Sequence, residues 1–159
     1  MSAHDGDAHA IRSANTTDAG SIGQLLHDFN REFDEPTPAP SALADRVGLL
    51  LGAGDTTILL GGAGPDGLAV LRFRAALWSE ALECYLAELY VAPQQRRRGL
   101  GRALLQTAMN VARAQGADHM DLGTSEDDVA ARALYESFGF INRERGNEGL
   151  VTFFYERDL

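Results

Sequence analysis

Along the first third of the chain the apolar positions recur at helical spacing. Ile22, Leu25, Leu26, Phe29 and Phe33 follow the helix-start residues Thr16, Thr17 and Asp18, and predict an amphipathic helix to about Phe33. The segment Asp34-Glu35-Pro36-Thr37-Pro38-Ala39-Pro40 ends it, because each proline lacks an amide donor and clashes with the preceding turn. Ser41 is placed to cap a second helix carrying Leu43, Val47, Leu50 and Leu51 on one face. A short, weakly patterned strand over 9–15 precedes both helices.

The period then falls to two. Residues 56–60, 68–77 and 82–91 read as three strands, and in the second Ala69, Leu71 and Phe73 face away from Val70, Arg72 and Arg74. Pro93 stops the third. Helical spacing returns over 99–115, where Gly101, Leu104, Leu105, Ala108, Val111 and Ala112 form a stripe and Gly116 is a natural C-terminal cap. A strand over 119–123 follows. Ser125 and Asp128 have capping-box spacing before a helix that turns Ala130, Ala133, Leu134 and Phe138 inward and ends at Gly139. Residues 140–144 and 151–156 read as two last strands. The order β-α-α-β-β-β-α-β-α-β-β predicts an α/β (α+β) fold, a mixed sheet with helices on both faces.

A chain of 159 residues predicts one domain, over 9–159, behind a disordered leader over 1–8. No apolar run approaches the ~20 residues of a membrane span. The small, acidic N-terminus lacks the basic flank and apolar core of a signal peptide, so a cytoplasmic protein is expected. Cys84 is the one cysteine, which excludes a disulfide within the chain and a multi-cysteine zinc site; on its apolar strand it reads as a small buried residue. His4, His9, His27 and His119 show no ligand spacing, and no metal is expected. The net charge is −9, and all 14 basic residues are arginines. That balance argues against a nucleic-acid partner and suits a neutral or cationic small one, and without an apolar span no membrane partner is expected.

The chemistry concentrates after the third strand, in Arg96-Arg97-Arg98-Gly99-Leu100-Gly101-Arg102. The amides that open a helix lack intrahelical acceptors and sit at the positive end of its dipole, so a basic glycine turn here favours a phosphate. A P-loop needs a lysine, and the chain has none; a dinucleotide fingerprint needs glycine where Leu104 stands. Arg96-x-x-Gly99-x-Gly101 resembles the pyrophosphate motif of the GNAT superfamily, the acetyl-CoA-dependent N-acetyltransferases. A second family signature is similar to Ala131-Arg132-Ala133-Leu134-Tyr135-Glu136-Ser137-Phe138-Gly139-Phe140.

The resemblance implies a mostly antiparallel sheet in which the strands over 82–91 and 119–123 form a central, splayed parallel pair. Leu89, Tyr90 and Val91 would offer main-chain groups to the pantetheine arm, one amide polarising the thioester carbonyl. Arg96, Arg97, Arg98, Gly99, Leu100, Gly101 and Arg102 would bind the pyrophosphate. Tyr135 matches the family's general acid, so it would protonate the leaving thiolate and contact the cofactor. Glu88 is the candidate general base, with Glu83 and His119 as alternatives; Asp128 stands where many members carry a cofactor-binding asparagine.

The implied reaction moves acetyl from acetyl-CoA to a primary amine of a small molecule or peptide by direct attack. The acidic Asp34-Glu35 linker and an apolar wall of Phe73, Trp78 and Tyr85 would bound that acceptor. A CoA-binding sensor or scaffold without catalysis is the alternative. It needs neither Glu88 nor Tyr135. Family members often pair through C-terminal strands. Here Val151, Phe153 and Tyr155 alternate with Thr152, Phe154 and Glu156, and a homodimer is expected.

Overall fold

The computed structural model describes residues 9–159, so the expected leader and His4 lie outside the described residues. The chain divides into two compact units, one ending at Asp121 and the other beginning at Leu122.

In the first unit five strands pair in sequence order: β1 (Ile11–Ser13), β2 (Thr56–Gly61), β3 (Gly67–Ala75), β4 (Leu82–Val91) and β5 (Ala117–Asp121). Strands β1 to β4 pair antiparallel with one another, and β5 is parallel to β4. Helices α1 (Ala19–Glu32) and α2 (Pro40–Ala53) cover one face; α3 (Leu100–Ala114) covers the other. Ile22, Leu25 and Val47 from the first pair meet Ile58, Leu60, Leu68, Val70 and Tyr90 from the sheet. On the α3 side Leu104 and Leu105 are fully buried, each stabilising the fold by about 2 kcal/mol relative to exposure.

The element boundaries follow local chemistry. A single 3₁₀ turn, Thr16–Asp18, leads into α1. Asn15 caps it: its Oδ1 accepts from the Thr17 amide, and the Asp18 carboxylate accepts from the Asn15 amide at 2.9 Å. Arg12 bonds the same carboxylate at 2.7 and 2.9 Å, and these bonds hold the Asp18 pKa down at about 2. The expected Ser41 cap is not used; α2 begins one residue earlier with Pro40, whose fixed φ suits the first helical position.

In the second unit α4 (Val129–Ser137) is capped by Asp128, which accepts from the Ala131 amide at 3.1 Å, so Ser125 is not the cap. Its C-terminus is a Schellman motif. Gly139 at φ 86° bonds Glu136, and the Phe140 amide bonds the Tyr135 carbonyl at 3.1 Å. The Tyr135 and Phe140 rings stand edge to face at 6.0 Å, the apolar contact that accompanies this motif.

The two last expected strands do not form; among the described residues only an isolated bridge joins Arg143 to Val151. The polar, glycine-containing tract between them supplies no apolar face, and Ile141, Leu150, Phe153 and Phe154 remain exposed. A two-stranded hairpin without a buried face is marginal in water. The parallel pair therefore lies at the edge of the five-stranded sheet rather than at its centre.

Candidate active site

Strand β4 pairs with β5 only from Leu82 to Tyr85. Beyond Tyr85 no strand among the described residues occupies that edge, so main-chain groups between Leu86 and Val91 remain open to an extended ligand. The expected parallel pair is present, and its pairing stops where β5 ends at Asp121. A bulge sits at the same place: Leu71 opposes Leu86 and Val70 opposes Glu88, leaving Ala87 as the extra residue.

After β4 the chain makes a 3₁₀ turn, Pro93–Gln95, and enters α3 through Arg97 at φ 62° and Gly99 at φ 87°. Gly99 suits the left-handed position, where a side chain is strained. The amides of Arg97, Arg98, Gly99, Leu100 and Gly101 find no main-chain acceptor among the described residues. They are the donors that a phosphate at a helix N-terminus needs. The His9 ring contacts the Arg98 carbonyl and stands beside Gly99.

Arg96 is held differently from its motif neighbours. Its Nη2 donates to both Glu32 oxygens, at 2.8 and 2.6 Å, and its Nε donates to the Val91 carbonyl at 2.9 Å. Its guanidinium lies 5.6 Å from the Tyr90 ring centre, and the Tyr90 hydroxyl donates to Glu32 at 3.3 Å. The Tyr90 side chain is therefore core, stacked on Phe29 at 4.7 Å, and burial and Glu32 raise its pKa. Glu32 was not legible as a site residue, because it reads as one more acid beside Asp34 and Glu35.

Glu88 faces the α1–α2 side of the sheet opposite Val70, and no hydrogen bond or ion pair joins its carboxylate among the described residues. Partial burial raises its pKa. That shift makes it a stronger base than an exposed glutamate. Of the alternatives, Glu83 is ion-paired to Arg74 at 2.6 Å, and His119 is exposed beside it in register. Cys84 is fully buried with its thiol pushed up to about 11, chiefly by desolvation, which removes it as a nucleophile. The expected apolar wall does not assemble. Phe73 pairs with Cys84 while Tyr85 pairs with Arg72, so their side chains leave opposite faces, and Trp78 is 91% exposed in the β3–β4 turn.

Comparison with known proteins gives one consistent result. The family model described as "Acetyltransferase (GNAT) family" matches residues 23–140. A mycothiol acetyltransferase of Thermobispora bispora is 34% identical over 120 residues, which is 72% of this chain and 35% of that protein. The chain thus spans about a third of that relative's length. An uncharacterised N-acetyltransferase of Bacillus subtilis is 28% identical over 82% of this chain and 88% of its own. The crystal structure of a candidate acetyltransferase from Arthrobacter sp. FB24 superimposes with a TM-score of 0.86 and 39% identity, covering 100% of this chain and 99% of that one.

Proposed function

The chain belongs to the acetyltransferase (GNAT) family, and on that premise we propose that it moves an acetyl group from acetyl-CoA to a primary amine of a small molecule or peptide. The observation that carries this reading is the open edge of β4 running into a helix start with unpaired amides. An extended pantetheine arm fits the edge at Leu89, Tyr90 and Val91, although the Val91 carbonyl already accepts from Arg96. A pyrophosphate fits the amides from Arg97 to Gly101, with Arg97, Arg98 and Arg102 adding charge. Arg96 contributes by fixing the loop through Glu32.

Acetyl-CoA supplies the activated acetyl group as a thioester. An alkylammonium of pKa about 10 must lose a proton before it attacks, and Glu88, made more basic by burial, takes it. Main-chain donors on β4 stabilise the charge that develops on the carbonyl oxygen. Tyr135, whose helix end is locked by the Schellman motif, returns a proton to the departing thiolate. No three-residue group of His, Cys, Asp or Glu able to hold a metal occurs among the described residues, and the steps above use none. The same reading makes the protein a cytoplasmic enzyme acting as a homodimer.

The test is thiol release from acetyl-CoA across a broad amine panel, alongside thermal shifts with acetyl-CoA, ATP and NAD. Turnover with at least one amine, and a shift with acetyl-CoA far above the other two, is the expected result. A shift without turnover assigns the chain to a CoA-binding module instead. An ATP shift equal to that of acetyl-CoA overturns both.

A further inference from the structure

Among the described residues, two buried side-chain atoms find no hydrogen-bond partner: Nε of Arg72 and Oδ1 of Asp121. Buried polar atoms are nearly always paired, so each orphan asks for an explanation. Both lie in one row across the sheet, which runs Thr56, Arg72, Tyr85, Asp121. Residues directly opposite one another share a sheet face, so the row faces the α1–α2 side, as Val70 and Glu88 do. It also crosses β4 at Tyr85, the residue where the pairing with β5 ends.

The neighbouring charges do not satisfy the pair. Arg74, the next cation along that face of β3, is committed to Glu83 at 2.6 Å. The Asp121 charge is felt by Arg74, but no hydrogen bond joins them. Arg72 makes no hydrogen bond or ion pair among the described residues. A cationic orphan and an anionic orphan in one row call for a ligand that carries an anion at one end and a cation at the other.

Resting on the acetyltransferase reading above, we propose that this row selects the acceptor, and that the acceptor is an amino acid, its carboxylate on Arg72 and its ammonium on Asp121. The unpaired atom of Arg72 is the one that matters for this choice. Nε–H and the adjacent Nη–H form a side-on fork whose spacing matches the two oxygens of a carboxylate. Asp121 is acceptor-only when ionised, as an ammonium requires. Adjacent strands are about 4.8 Å apart, so the two backbones stand about 10 Å apart, and the long arginine side chain covers much of that gap. A substrate with a few bonds between amine and carboxylate bridges the rest. The transfer is otherwise unchanged: the ammonium gives one proton to Glu88, the nitrogen bonds to the acetyl carbon, the C–S bond breaks and the thiolate takes a proton.

The experiment compares kcat/KM for matched pairs that differ only in the carboxylate, such as lysine against cadaverine and ornithine against putrescine, with glycine, β-alanine and 4-aminobutyrate as a length series. The carboxylate-bearing member is expected to be preferred at least tenfold. Arg72→Gln brings that ratio towards one by raising KM for the amino acid, while the acetyl-CoA thermal shift stays in place. Asp121→Asn raises KM for both members of each pair. Equal or better use of the decarboxylated amine, or an unchanged ratio in Arg72→Gln, overturns the proposal and leaves the acetyltransferase reading standing. If no amine releases thiol, the transferase reading fails, and calorimetry of lysine binding to the CoA-loaded protein decides the row. Binding that is lost in Arg72→Gln supports it, and no binding to the parent overturns it. Where Arg72→Gln does not fold, Arg72→Lys keeps the charge, removes the fork and serves the same comparison.

Discussion

One terminal nitrogen of Arg96 reaches both carboxylate oxygens of Glu32, at 2.8 and 2.6 Å, and so ties the last residue of α1 to the loop that opens α3. The bond joins a helix bordering the acceptor side to the loop proposed to hold pyrophosphate. The pair is partly exposed, with side chains 41% and 25% accessible, so on stability alone it is worth at most about 1 kcal/mol. Its larger effect is on loop order. Glu32→Gln is expected to weaken acetyl-CoA binding about threefold to tenfold in a calorimetric titration. Tighter binding in that variant means that the released Arg96 serves the phosphate directly, and that the loop-fixing role is wrong.

Tyr135→Phe keeps the ring, its contact with Phe140 and the Schellman hydrogen bonds, which are main-chain. It removes only the phenolic proton. The rate is expected to fall about 10²-fold, the scale of general-acid help, with acetyl-CoA affinity nearly unchanged. Steady-state kinetics beside a binding titration separate the two quantities, and full activity in the variant assigns protonation of the thiolate to water.

Glu88→Gln is expected to lower the rate about 10²-fold at neutral pH and to recover part of the loss at high pH, where the free amine already exists. Stability should move the other way. Burial alone raises this pKa, so folding favours the protonated form. That stabilisation is complete below the ordinary glutamate range and is lost as pH rises through the folded value, leaving the ionised group a cost at pH 7. The variant should therefore melt on the order of 2 °C higher at pH 7, with the gain shrinking towards pH 4. A lower melting temperature at pH 7 contradicts the sign.

Asp18 carries the opposite sign. Its bonds to Arg12 and the Asn15 amide hold the folded pKa at about 2, below the ordinary aspartate value. The stability this brings is present above about pH 4 and is lost as pH falls through about 2. Asp18→Asn should lower the melting temperature at pH 7 and match the parent near pH 2. Melting curves across that range check it.

The alternation in residues 56–91 and the helical stripe after Gly99 were legible because each element buries one face of its own pattern. The strands expected over 140–144 and 151–156 rest on short apolar and aromatic runs, but a strand also needs a neighbour and a covered face, which no local pattern reports. The Tyr135 signature was legible for a related reason, since its glycine and phenylalanine build a motif complete within a few residues. Glu32 and Asp121 were not. Their meaning comes from partners 64 residues away in sequence or from a row across four strands. Arg72 did leave a signal, an arginine sharing the core-facing parity of Val70.

Assembly is the remaining test of the C-terminal segment. Phe153, Phe154 and Tyr155 are 71%, 69% and 87% exposed, a surface that a second copy can cover. Light scattering at micromolar concentration is expected to show a dimer, and Phe154→Ser to shift it towards monomer. Monomer alone in the parent counts against the dimer.

The extra residue at Ala87 means that β4 is read in two frames. Ahead of it the even-numbered Cys84 and Leu86 point to α3; beyond it the odd-numbered Leu89 does, and Glu88 changes sides. Deleting Ala87 would remove the bulge and leave Leu86 opposite Leu71 and Glu88 opposite Val70, each side chain on its present face. Point substitutions in this strand can be absorbed one at a time, whereas a single-residue deletion away from Ala87 turns one part of the strand over. Deletions in β4 should therefore be tolerated at Ala87 and far rarer elsewhere in the strand than in the β2–β3 turn, and a deletion scan is the direct way to see that parity.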